Sequence, residues 1–129
     1  MIFDTDVLIW YFRGHPAAAE FLGKQTDREV SIISIMELYQ ASRTRRESKI
    51  IRRFFQENAF RIIPINEAIS HLAVTLIEDH AQNNGLQVAD ALIAATARET
   101  ASVLATGNVR HFRPIPGLEL KAFRCGAGW

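Results

Sequence analysis

The sequence predicts a three-layer α/β/α domain on a mostly parallel sheet of four or five strands. Short apolar runs alternate with longer stretches of helical periodicity, as when strands are buried on both faces and helices cover the sheet. Acids or turn-forming residues follow several of those runs directly, where the carboxyl ends of parallel strands gather ligands. With 129 residues, the chain has length for one core and not two, so residues 1–129 are expected to form a single domain.

The elements follow in order. Residues 1–4 read as the first strand and 5–12 as a helix. Pro16 opens a helix over 16–25, since its missing N–H costs little in a first turn. Val30-Ser-Ile-Ile33 reads as a buried strand. Ser34 then caps a helix running to Ser42, with Glu37 completing a capping box. A helix over 47–57 carries Ile50, Ile51, Phe54 and Phe55 at helical spacing, with basic residues on its other face. Arg61–Ile65 is a short strand, and Pro64 argues that it lies at an edge or a strand end. A long helix over 66–83 has Leu72, Leu76 and Ile77 on one stripe and stops at Asn83-Asn84-Gly85. The Ala-rich helix over 88–100 begins near Asp90. The strand over 103–106 ends in Gly107-Asn108, and a last strand spans 118–123. No repeat, low-complexity tract or linker interrupts the pattern.

Composition narrows the class. An apolar fraction of 48% and a charged fraction of 22% match soluble globular chains rather than disordered ones. No apolar run reaches the ~20 residues that span a bilayer. A lone Cys125 gives no internal disulfide, so a cytoplasmic location with no membrane partner is expected. The net charge of +1 hides an uneven distribution. Arg43, Arg45, Arg46, Lys49, Arg52 and Arg53 stand against Glu47 alone within residues 43–53, so the rest of the chain is net acidic. Such a patch is either a solvated helix face or an attractor of phosphate backbones.

The acids are the sharper signal. Asp4 ends the first strand, Glu37 lies one turn into the helix after the second, and Asp90 opens the Ala-rich helix. Asn108 follows the strand that ends in Thr106. Each has a plain structural use: Asp4 as a helix cap, Glu37 in a capping box, Asp90 on a helix dipole, Asn108 in a turn. Gathered on one sheet edge, the carboxylates would repel one another unless a cation neutralised them. Oxygen donors without a His or Cys pattern select Mg²⁺ or Mn²⁺ over Zn²⁺.

Four blocks in this order and spacing resemble the signatures of PIN-domain ribonucleases, and the nearest branch is the VapC-type toxins of toxin–antitoxin pairs. They are Asp4-Thr-Asp-Val-Leu-Ile9, Ser31-Ile-Ile-Ser-Ile-Met-Glu37-Leu38, Ala89-Asp90-Ala-Leu-Ile-Ala-Ala-Thr-Ala97 and Leu104-Ala-Thr106-Gly-Asn108-Val-Arg-His-Phe112. The resemblance covers residues 1 to about 120. It implies a PIN-like fold, metal ligation by Asp4, Asp90 and Glu37, and catalytic roles for those three with Thr106 and Asn108. It also implies hydrolysis that leaves a 3′-hydroxyl and a 5′-phosphate. Many members have Asp at the Asn108 position, and some carry Asn with an acid three residues on, where this chain has His111. Three carboxylates and an amide oxygen suit one Mg²⁺; a second ion would lean on the RNA phosphate. Asp6 stands where Ser or Asn is common, as an extra ligand or a neighbour of one.

Partners follow from the resemblance and the charge pattern. They are an RNA substrate, met by Arg43, Arg46, Lys49 and Arg53, a small antitoxin protein inserted into the active-site groove, and a second copy in a homodimer. The apolar surplus expected around Ile9-Trp10 and the 66–83 stripe supports the dimer. Trp10 and Tyr11 either stack on a base or pack inside. Two rival readings remain. Asp4-Thr-Asp6 and Leu104-Ala-Thr106 are also similar to the first two motifs of haloacid-dehalogenase-type phosphatases, but Glu119 is the only acid after Thr106. A PIN-like module that binds RNA or protein without cutting rests on Asn108 and His111.

Overall fold

The computed structural model describes residues 1–126; the last three residues of the expected domain lie outside that range. Five strands, β1 (Ile2–Phe3), β2 (Glu29–Ser31), β3 (Arg61–Ile63), β4 (Leu104–Thr106) and β5 (Leu120–Ala122), form one sheet in the order β3-β2-β1-β4-β5. Every pairing is parallel. The helices are α1 (Thr5–Phe12), α2 (Pro16–Gly23), α3 (Ile32–Ala41), α4 (Arg45–Glu57), α5 (Glu67–Asn84), α6 (Val88–Glu99) and α7 (Val109–Phe112).

Side chains alternate across the sheet, and this alternation makes the layers. Ile2 and Leu104 join Ile69, Leu76, Ile93 and Phe112 in a core on one face. Phe3 and Ala105 join Val7, Leu22, Leu38 and Phe54 on the other. Helices α5 to α7 thus cover one side and α1 to α4 the opposite one. The chain leaves β1 toward β2 on one flank and returns to β4 on the other. The carboxyl ends of β1 and β4 therefore frame the switch point where open α/β sheets form a crevice. At the amino end of the sheet, the buried Glu29 ties the core together. Its Oε1 lies 3.3 Å from the Met1 ammonium and accepts from Ser102 Oγ at 2.8 Å, while Arg61 approaches its Oε2 at 3.4 Å. Among the described residues, no helix is long and apolar enough to cross a membrane.

Pro64 follows β3, which is an edge strand as expected. Gly85, with φ +69°, closes α5 in the left-handed conformation that glycine adopts at no steric cost. The second strand differs from expectation. It stops at Ser31, whose hydroxyl accepts from Ile33 N–H, so Ile32 and Ile33 open α3 rather than extend the strand. Ser34 is therefore not a cap and makes no capping box with Glu37. A related arrangement forms at α4, where Thr44 Oγ1 accepts from Glu47 N–H and Glu47 reaches back to Arg43 N–H. Ile50 is 52% exposed, and the buried face of α4 is Ile51, Phe54 and Phe55. The stripe of α5 is centred on Ile69, Ala73 and Leu76 and is buried within the chain. Leu72 and Ile77 pack against it half-buried, and Val74 stays exposed on the outer side of the helix. The short α7 replaces the turn expected at Asn108.

Candidate metal centre

Asp4 is the first residue past β1, and its position is held from both sides of the switch point. Its backbone N–H donates to Ala105 O at 2.8 Å. Oδ1 accepts from Thr5 N–H at 2.8 Å, so the carboxylate does cap α1. Oδ2 accepts from Thr106 Oγ1 at 2.7 Å, across 102 residues of sequence. Thr106 is fully buried and in turn accepts from Asn108 N–H at 2.9 Å. The hydroxyl thus orients the carboxylate and anchors the loop after β4 together. The cap and the contact with Thr106 use the two oxygens of one carboxylate.

Glu37 reaches the same place through Thr5. Thr5 Oγ1 lies 2.7 Å from Glu37 Oε1 and 2.9 Å from Ser34 Oγ. The Thr5 hydroxyl is the donor in both contacts, so it ties Glu37 and Ser34 to the end of β1. Thr5 and Ser34 were not among the expected site residues. A Thr between two acids at a strand end was the signal for the first, and Ser34 was read as a cap.

Asp6 sits on the first turn of α1, and its Oδ2 accepts from Gly107 N–H at 2.9 Å. Among the described residues, its Oδ1 is buried with no hydrogen-bond partner. A Cβ on residue 107 would come 2.7 Å from Asp6 Oδ2, so any other residue there would push the Asp6 carboxylate aside. Asp90 lies on the first turn of α6. At the far side, Asn108 Nδ2 and His111 Nδ1 are 2.9 Å apart.

The electrostatics tie these groups into one centre. Burial, then the Asp6 charge, push the Asp4 carboxyl up to about 7, against the lowering effect of Thr106 and Thr5 and with a further raising contribution from Asp90. Burial also raises Asp6, where Asp90 adds repulsion. Asp90 is raised by burial and lowered by a Gln87 backbone hydrogen bond and by the charge of His111. Repulsion between the carboxylates, expected from the sequence, contributes at Asp4 and Asp6, and desolvation is the larger cause at all three.

The donor set fits a hard divalent cation. It offers carboxylate oxygens, an amide and a buried oxygen without a partner, in surroundings that disfavour uncompensated negative charge. Among the described residues, no three His, Cys, Asp or Glu side chains already stand in ligating arrangement. The carboxylates would therefore have to draw together around an ion.

Arg43, Arg46, Lys49 and Arg53 are all exposed on or beside α4. Trp10 and Tyr11 are packed: Trp10 edges onto His15 at 5.5 Å and Tyr11 lies 4.7 Å from Phe54. Glu119 lies before β5, and its carbonyl accepts from Leu104 N–H at the amino end of β4. That is the end of the sheet away from Asp4, so the phosphatase arrangement does not form.

Comparison with known proteins gives the same direction. The PIN domain family model matches residues 1–117. Ribonuclease VapC10 of Mycobacterium tuberculosis is 34% identical over 116 residues, covering 87% of this chain and 85% of the relative. Ribonuclease VapC19 of the same organism is 30% identical over 122 residues, covering 92% and 96%. A toxin–antitoxin complex from Klebsiella pneumoniae contains a chain of the same fold, with TM-score 0.77, 30% identity and coverage of 91% and 93%.

Proposed function

The chain belongs to the PIN domain family, among its VapC-type ribonucleases, and on that premise we propose that it is a Mg²⁺- or Mn²⁺-dependent endoribonuclease, the toxin of a toxin–antitoxin pair. The observation that carries the metal-dependent reading is Asp4, held at the switch point by Thr5 and Thr106 and pushed up to about 7. A carboxylate so placed gains from a cation what burial takes away.

Asp4 and Asp90 would hold the ion, with Glu37 direct or through water and Asp6 Oδ1 free to join. A bound divalent cation supplies Lewis acidity toward a water and toward the phosphoryl oxygens of RNA. Thr106 keeps the Asp4 carboxylate aimed, and Thr5 does the same for Glu37. Asn108 presents an amide beside them, its NH₂ engaged by His111. The basic side of α4, through Arg43, Arg46, Lys49 and Arg53, would guide the sugar–phosphate backbone without reading sequence.

A groove lined by Ile9, Phe12, Leu38, Ile50 and Ile51, with Arg13 and Arg43 among its charged residues, suits an apolar segment bearing acids. It supports an antitoxin partner there. A homodimer is supported by Met36, Val74 and Val88, exposed on helices that pack on one another. A cytoplasmic location fits this use.

The test is cleavage of a labelled RNA pool with Mg²⁺, Mn²⁺ or EDTA, set beside Asp4→Asn and Asp90→Asn. Cutting that needs the ion and drops at least a hundredfold in both variants supports the reading; cutting equally well in EDTA would overturn it. In a salt series, Arg46→Ala with Lys49→Ala and Arg53→Ala should weaken RNA binding and flatten its salt dependence.

A further inference from the structure

A second polar feature reaches the candidate site through His111. Between the end of α5 and α7 lies a cleft of about 320 Å³, lined by Asn83, Asn84, Arg110 and His111. No apolar side chain is among them. Its size falls near the lower end of small-molecule pockets, which span about 300–1,000 Å³. We propose that this cleft is a nucleotide subsite, holding one nucleotide of the RNA strand next to the bond that is cut. The proposal rests on the ribonuclease reading and extends it to how the substrate is selected.

Three features support it. The lining chemistry matches a nucleotide part by part. A guanidinium pairs with a phosphate through two parallel N–H donors. Carboxamides carry a donor and an acceptor side by side, which suits the edge of a base, and single-stranded RNA exposes those edges. An imidazole or guanidinium plane offers a stacking face.

The cleft is also wired to the reaction centre. His111 lines it and stands 2.9 Å from the Asn108 amide. Asn108 is anchored on Thr106, which holds Asp4. A nucleotide touching His111 is therefore linked to Asp4 through Asn108 and Thr106.

The walls are pre-set as well. Asn84 Nδ2 is 3.1 Å from His80 Nδ1, and Gly85 ends α5 so that Asn83 and Asn84 stand on its last turn.

Two measurements on the full chain test this. First, the parent, Asn83→Ala and Arg110→Ala cut a random-sequence RNA pool with Mg²⁺, and the ends are sequenced. Both residues are exposed, so the fold tolerates the changes. The parent should show a base preference at one position adjoining the cut, and both variants should flatten it at least fivefold. An unchanged preference overturns the subsite.

Second, the four ribonucleoside 5′-monophosphates are titrated onto the chain without metal, following the side-chain amide resonances of Asn83 and Asn84. Saturable shifts, with a Kd raised tenfold or more in Arg110→Ala, support the subsite. No shift, or the same Kd in the variant, overturns it. This second measurement needs no cleavage. Binding in a chain that cuts no RNA would leave the subsite standing and remove the ribonuclease reading instead.

Discussion

Asp4 carries two demands that pull against each other: it must cap α1 and line a polar centre, yet it is 6% exposed. Burial wins, and its carboxyl rises to about 7 from an ordinary 3.8. Between those two values the folded chain holds a proton that the unfolded chain has released. Folding stability from this group is therefore greatest at or below about pH 4 and is lost as pH rises toward 7. Without metal, the parent should melt at a lower temperature at pH 8 than at pH 5, and Asp4→Asn should show a shallower slope and a higher Tm at pH 8. Equal slopes in thermal melts with EDTA would contradict the assignment. Cation binding runs the opposite way, since an ion competes with that proton, so Mg²⁺ affinity should climb through pH 7. Thr106→Val removes the hydroxyl that favours the Asp4 carboxylate. It should move the midpoint of that climb to higher pH by about one unit, the worth of one hydrogen bond to a charged group. Calorimetric Mg²⁺ titrations between pH 6 and 9 would show it, and an unmoved midpoint would count against Thr106 as the positioning residue. Asp4, Glu37, Asp90 and Thr106 were legible as residues because polar groups at the ends of apolar runs are anomalous. Thr5, Ser34 and Gly107 were not, because their contacts cross 29, 32 and 101 positions of sequence.

Among the elements, α4 shows how packing overrules pattern. Its apolar residues at 50, 51, 54 and 55 look equivalent in sequence. Only Ile51, Phe54 and Phe55 are buried, because the ring cluster around Phe54 sets the rotation of the helix. Phe54 meets Tyr11 at 4.7 Å, Phe12 and Phe55 at 5.1 Å and Phe60 at 5.4 Å. This cluster pins α4 onto α1, the helix whose first turn bears Asp6. Phe54→Ala should cost about 3–5 kcal/mol in chemical denaturation, as for other buried aromatic truncations. A loss under about 1 kcal/mol would mean that the cluster does not anchor the helix. The start of α3 was misplaced for a different reason. Ile32 and Ile33 are β-branched and favour strands, but the Ser31 hydroxyl supplies a cap, and β2 pairs with β1 at Glu29 alone.

Across the whole molecule, the sheet order decides the function. With β1 central and β4 beside it, residues about a hundred positions apart share the switch point. The two helical layers leave Met36, Val74 and Val88 between 58% and 66% exposed, on α3, α5 and α6. Charge placed there should separate copies of the chain if they associate through these residues. Met36→Glu with Val88→Glu is expected to convert a dimer into a monomer by light scattering at micromolar concentration, with Mg²⁺ affinity retained. A parent that is already monomeric would refute this assembly.

The sequence by itself determined the fold class, the family blocks and the identities of the acids. Apolar runs ending in polar residues are local patterns, set by the pleat and by the need to bury both faces of a parallel sheet. Only the tertiary structure decided that Asp4 caps a helix and serves the centre at once, that Asp6 keeps a buried oxygen without a partner, and that Asn83 and Asn84 stand beside His111. Those facts depend on distances between remote segments, and closing the sheet is what sets them.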